Sequence, residues 1–233
     1  MLMVLVVVGL LGSFYAIRKF NSPITQVEND KAALAAMNMA KEALLGFAAI
    51  NGRLPCPATA ASNGVEAPVG GSTALIPCTN PYIGYLPAST LGLPGMDSTG
   101  YLRDQWAGRL RYAVTTANAN AATTTNRIQL VTTAVFAPDL RICISATGIT
   151  LTTCGGAQAL TTTAVAVIFS TGANGSTATG LDEAANDITS NNQVFVSHPR
   201  TDSTAANGEF DDLVTWIPSA LLFARMTQGG KLP

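Results

Sequence analysis

The chain has 233 residues, of which 48% are apolar and only 12% charged, against roughly 25% charged in an ordinary globular chain. Its formal net charge is −1, so no basic surplus exists to hold nucleic-acid phosphates. Thr, Ala, Ser, Asn and Gly stand where Lys and Glu usually would, a composition that suits a β-rich extracellular head and equally a low-charge periplasmic domain.

Residues Met1 to Ile17 read MLMVLVVVGLLGSFYAI, with no charge or amide, and Arg18-Lys19 close the run. At 1.5 Å per residue this stretch spans about 25 Å, slightly short of a hydrocarbon core of about 30 Å. A soluble buried helix rarely stays apolar on every face for so long. A cleaved secretory signal fits badly, because no basic region precedes the run and no small-x-small cleavage site comes after it. Arg18 and Lys19 favour a cytoplasmic flank, whereas the cysteines argue that the remainder of the chain is exported. That conflict leads us to expect further residues, basic ones among them, before Met1.

Pro23 is expected to kink or locally unwind the helix. Gln26 to Ile50 is then rich in Ala, Leu, Met, Glu and Lys, all good helix formers. Ala36, Ala40, Ala43, Phe47 and Ile50 recur at helical steps and mark the expected apolar stripe. Asn51-Gly52 supplies the stop. The reading is one helix of about 50 residues, roughly 75 Å long, whose first half must be buried by lipid or by copies of itself. Gly9 and Gly12 each lower helix propensity by about 1 kcal/mol relative to Ala. They suit either local melting in a filament core or close helix packing at small residues. The chain thus divides into a membrane or filament-core half of the helix (1–25), an amphipathic half (26–52) and a globular β-rich head (53–233).

Residues 53–108 are rich in Pro and Gly with little periodicity, and phrases such as Leu93-Pro94-Gly95 are turn chemistry. Asp104-Gln105-Trp106-Ala107-Gly108 then leads into the first strand candidate, Leu110–Thr116. The others are Arg127–Phe136, Arg141–Ser145, Ile149–Thr153, Ala164–Ser170 and Gln193–Ser197. Phe210-Asp211-Asp212-Leu213-Val214-Thr215-Trp216-Ile217-Pro218 is expected to complete the sheet edge. Trp106 and Trp216 are expected to anchor the core. One helix followed by consecutive strands argues α+β, with the helix covering an antiparallel sheet.

Cys56, Cys78, Cys143 and Cys154 include no Cys-x-x-Cys pair, and with the single His198 they supply a zinc site poorly. Four cysteines allow three connectivities. Nearest neighbours, Cys56–Cys78 and Cys143–Cys154, are the expectation, the second stapling a hairpin around Gly148. Such bridges place the head outside the cytosol. No Gly-x-Ser-x-Gly elbow accompanies His198, which reads as an exposed loop residue, and no phosphate-binding glycine loop occurs. The chain is therefore not expected to be an enzyme. Asn174-Gly175-Ser176 is a glycosylation sequon, and Thr123–Thr125 and Thr161–Thr163 are hydroxyl clusters; the alternative is a plain polar β-rich surface. The oxygen ligands that calcium prefers are available in the late loops, with Asp182, Glu183, Asp187, Asp202, Asp211 and Asp212 as candidates, without EF-hand spacing.

The N-terminal segment resembles the helix of type IV pilins and type II secretion pseudopilins. Those families begin their mature chain with Phe-Thr-Leu-Ile-Glu and continue into an apolar run with a glycine. On that pattern Met1 comes directly after the family glutamate and Gly9 takes the glycine position. The five residues and the basic leader are not in this sequence, and the helix proline is Pro23 where the family's falls near Ile17. Asp104 to Gly108 is similar to the Asp-x-Trp-Gly of pseudopilins, with Ala107 inserted, and Asp-Asp-Leu-Val-x-Trp resembles a phrase of large pilin-like secretion proteins.

The resemblance implies a pilin-like fold in which residues 53–108 are the αβ-loop and residues 109–233 hold the sheet and C-terminal loops. It implies a homopolymer with Met1, Leu2, Val4, Leu5, Val8, Gly9, Leu11, Gly12 and Phe14 in the filament core. It also implies an inner-membrane stage, a prepilin peptidase, an assembly machinery and a final extracellular location. No cofactor is expected beyond calcium, which major pseudopilins bind in a comparable loop. The alternatives are a minor pilin or pseudopilin of a secretion machine, and a membrane-anchored periplasmic binding protein.

Overall fold

The computed structural model describes residues 2–131, 133, 135–175, 177, 180–186 and 193–232, with side chains described from Thr25 onward. One helix, α1 (Leu2–Asn51), occupies the N-terminal 50-residue stretch. It continues through Pro23, so the local unwinding expected there is absent. The single missing amide donor lies between turns that remain helical. The helix ends where Gly52 adopts a φ of +69°, a left-handed stop that Gly takes readily.

After α1 come β1 (Gly84–Tyr85), α2 (Ala88–Leu91), β2 (Arg111–Val114), α3 (Ala117–Asn120), β3 (Leu140–Cys143) and β4 (Ala159–Ser170). The chain then forms α4 (Leu181–Asn186), β5 (Val194–Val196), β6 (Leu213–Pro218) and α5 (Ser219–Gln228). β4 is the spine of the sheet. Antiparallel β6 runs along one of its edges from Ala164 to Ser170, so antiparallel β2 and β3 must share the other. β1 extends the sheet beyond β2, and β5 adds to β3 in parallel. The architecture is α+β with an antiparallel-rich sheet, as the order of elements suggested.

Alternate residues of β4 enter different cores, as the period of two requires. Ala166 and Ile168 face the helices with Tyr112, Val114 and Ile217. Val167 and Phe169 face the other way, with Ala113, Ile142 and Phe195. The helical cover is α1 together with α5.

The buried stripe of α1 is Ala33, Met37, Ala40, Leu44, Leu45 and Ala48, all at most 1% exposed. Of the expected stripe only Ala40 is fully buried, and Ile50 is 72% exposed. In so Ala-rich a helix several faces look apolar. The core takes the face with the larger side chains, because these bury more area.

Two expected strands are not strands. The described residues of 127–136 carry a 3-10 turn, Ile128–Leu130, and no strand, after Asn126 turns the chain with φ +57°. Residues 149–153 form a loop closed by Thr150, whose backbone N–H donates to Thr153 O and whose hydroxyl accepts the Thr153 N–H. β3 pairs instead with β4, which starts earlier than its Val/Ile run because the threonines before Ala164 are extended too. Both expected disulfides are present, Cys56–Cys78 and Cys143–Cys154. The second spans the loop between β3 and β4. There a Cβ on Gly155 would fall 1.8 Å from the Gly148 carbonyl oxygen, which only Gly permits.

Candidate functional site: the N-terminal helix and a buried acidic cluster

The head does not cover all of α1. Ala33 is the first fully buried residue among the described side chains, and residues 25–28 are exposed. A polar tie joins the head to this stretch, Arg200 Nη2 to Asp30 Oδ1 at 2.9 Å. From Leu2 to Ala33 the helix rises about 45 Å. The residues expected to form a filament core, Met1, Leu2, Val4, Leu5, Val8, Gly9, Leu11, Gly12 and Phe14, fall where no side chain is described.

The N-terminal helix is long and apolar enough to cross a membrane. Within its described stretch, Thr25–Asn51, an 18-residue window reaches a mean hydropathy of 1.3. One face of that stretch is nevertheless the lid of the head's core, which ties it to the sheet.

The far end of the Arg200 tie leads to the late loops. Arg200 Nη1 stands 3.3 Å from Asp211 Oδ2. Asp211 precedes β6, α4 carries Glu183, and Asp212 is the next residue. Carboxylate oxygens of Glu183, Asp211 and Asp212 all lie within 4.8 Å of one another, and all three residues are buried. The loop after β4 wraps them. The Ala173 N–H donates to Asp211 Oδ2 at 2.8 Å, and Asn174 Nδ2 donates to both Glu183 oxygens at 2.9 Å. Asn186 Nδ2 donates to Asp212 Oδ2 at 2.9 Å and is itself fixed to Val196.

Burial raises the pKa of Asp211, with a push in the same direction from Glu183. The Ala173 N–H and the Arg200 charge oppose it. Asp211 Oδ1 and Asn174 Oδ1 are buried with no hydrogen-bond partner. A Cβ at Gly172 would sit 1.9 Å from Asp211 Oδ1. A buried carboxylate cluster with the unmatched Asp211 Oδ1, and the unmatched Asn174 Oδ1 beside it, fits a divalent cation that takes oxygen ligands.

The other calcium candidates go elsewhere. Asp182 accepts the Ala146 N–H at 2.5 Å and Asn207 Nδ2 at 3.1 Å, holding the turn after β3. Asp202 accepts the Thr204 hydroxyl and N–H, which lowers its pKa. Asp187 lies outside the described residues. His198 is not an exposed loop residue: its side chain is 16% exposed, its ring stacks on Phe210 at 3.9 Å, and Nε2 lies 3.2 Å from Asp182.

Asn174 spends its amide on Glu183, so the sequon offers no open acceptor nitrogen in the folded head. Thr123 is buried against Ser72, whereas Thr162 and Thr163 are exposed. Trp216 is partly buried beside the Val167 and Phe169 face. Trp106 is not a core anchor. It is half-buried in a wall of a surface basin, because Asp104 uses the Trp106 and Gly108 N–H groups to close the turn beneath it.

The role of Asn174 was hidden in the sequence, where it sits among polar loop residues with no periodic signal. Glu183, Asp211 and Asp212 were the legible part, named among the six late-loop acids. Compared with protein-family models, curated proteins and solved structures, the chain gives no significant match.

Proposed function

We propose that the chain is a structural subunit of an extracellular type IV pilus-like filament, polymerising through the first half of α1. The observation that carries the reading is the disproportion of that helix. A simple anchor needs about 20 apolar residues, whereas α1 has 50, and among its described side chains full burial begins only at Ala33. The charge-free run from Met1 to Ile17 supplies the surface that lipid buries before assembly and neighbouring helices bury afterwards. Two disulfides suit a head exposed beyond the cytosol. Glu183, Asp211 and Asp212 hold a calcium ion in this reading, with Asn174 Oδ1 as a further oxygen. The ion supplies the positive charge that cluster needs, and Arg200 then serves chiefly to tie the loops to Asp30.

The test is to shear cells producing the protein and to solve the released material by electron cryomicroscopy. A helical filament with the first half of α1 as its central bundle is expected. Protein confined to the membrane fraction, with no filament containing it, would sink the proposal. For the cation, millimolar calcium is expected to raise the melting temperature of the wild-type chain by several degrees through binding to the folded state. The same calcium should leave Asp211→Asn unmoved. An equal response in both would remove the site.

A further inference from the structure

A basin of about 500 Å³ opens on the head between β1, the start of β2 and the Asp104–Gly108 turn. Its volume falls in the range of small-molecule sites, about 300–1,000 Å³. Arg103, Arg109 and Arg111 line it together with Tyr85 and Trp106. This is a dense gathering of charge for a chain that is only 12% charged overall. Nearby acids do not cancel it. Asp97 is bound to Arg103 at 2.6 Å, and Asp104 turns inward to the Ser170 hydroxyl at 2.6 Å. Arg109 is left without a carboxylate partner among the described residues.

The guanidinium groups are held by ring faces. Arg109 lies 3.9 Å from the Tyr101 centroid and 5.4 Å from Tyr85, and Arg111 lies 4.1 Å from Tyr85. Stacking fixes a guanidinium plane while leaving its edge N–H groups for an anion. For Arg109 those edge groups make only long hydrogen bonds, 3.4 Å to Ala60 O and 3.5 Å to Thr99 Oγ1. Among the described residues no carboxylate pairs with it. Ala107 takes φ +64°, and its carbonyl oxygen accepts from Arg103 Nη1 at 2.5 Å. The residue that lengthens this turn therefore also holds Arg103 at the rim, beside the indole of Trp106.

We propose that this basin binds a carboxylate-bearing sugar, a uronic acid unit of an external polysaccharide. Arg109 grips the carboxylate through its planar fork, and the half-buried face of Trp106 packs on the C–H face of the pyranose. A tetrahedral inorganic anion would use the first contact and gain nothing from the second. The inference rests on the head alone and stands apart from the filament reading.

The full chain in detergent micelles is titrated with trigalacturonic acid, its methyl ester and inorganic phosphate, with calorimetry as the readout. The acid trimer is expected to bind saturably, with the ester and phosphate each at least tenfold weaker. Arg109→Gln and Trp106→Leu should each weaken the acid trimer at least tenfold, while Trp216→Phe leaves it unchanged. Thermal melts accompany each variant. If Arg109→Gln also loses stability through its tyrosine contacts, Trp106→Leu, which keeps all three arginines, decides. Absence of saturable binding, equal binding of the ester, phosphate binding as tightly as the trimer, or full affinity in Trp106→Leu would each overturn the proposal.

Discussion

Replacing Glu66 by Gln should cost the head about 3 kcal/mol. Arg53, just past the end of α1, donates to Glu66 at 2.8 and 2.7 Å, and the two side chains are only 7% and 5% exposed. The same carboxylate accepts the Cys56 N–H at 3.0 Å and the Gly70 N–H at 3.2 Å. Gln keeps the shape but removes the charge and turns one acceptor into a donor that faces other donors. Breaking one side of a buried ion pair costs about 3–5 kcal/mol, and the retained amide oxygen places the variant at the lower end. For a chain of this size that is a fall in melting temperature of roughly 6–12 °C. The measurement is urea unfolding with both disulfides intact, with a thermal melt alongside. Arg53→Met combined with Glu66→Leu should recover only the ion-pair share of the loss, because the Cys56 and Gly70 N–H groups then lack their acceptor. A loss below about 1 kcal/mol for Glu66→Gln would refute the reasoning, because the guanidinium would then have to be solvated where the structure buries it.

Leu44→Ala should cost about 2–5 kcal/mol by opening a core cavity, while Ile50→Ala should stay within about 0.5 kcal/mol; equal effects in urea unfolding would contradict the buried face of α1. Ala107→Gly should stabilise the head by about 1 kcal/mol, because Ala resists the left-handed conformation that Gly accepts; a lower urea midpoint would argue against strain there. At alkaline pH the buried tyrosines decide the trend. Burial pushes Tyr82 up to about 12, with Asp139 adding to the effect, and raises Tyr112 well above its usual value. Their raised folded-state values mean that stability is full below about pH 10 and falls as the pH rises through the folded values. Urea midpoints across that window should decline, and Tyr82→Phe should flatten part of the slope.

The sequence disclosed whatever depended on local chemistry. The charge-free run, the Ala-rich helix, the Gly52 stop and the cysteine neighbours were legible because each is set by adjacent residues. The register of the helix face was not. Ala36 and Ala43 compete with Met37 and Leu44 for the core, and only the volume waiting between the sheet and α5 decides. Residues 127–131 include the β-branched Ile128 and Val131, yet after the turn at Asn126 they form a 3-10 turn instead of a strand. The acidic cluster was half legible. Asp211-Asp212 marks one side, but its closure by Glu183 and Asn174 depends on how α4 and the loop after β4 fold back. The arginine basin left only the Arg109-x-Arg111 alternation, which reads equally well as a solvated strand edge.

The two disulfides also determine how the protein answers a pull along α1. Tension enters the head just past Asn51 and reaches Cys56 within a few residues. From there a covalent path jumps to Cys78, bypassing a stretch with a sequence separation of 22, or about 75 Å of extended chain. The second bridge does the same over a separation of 11, about 37 Å. A head drawn out by force would therefore release that length only in a reducing medium. Load that an unbridged chain would dissipate in lengthening loops is delivered instead to the pairing of β4 with its neighbours.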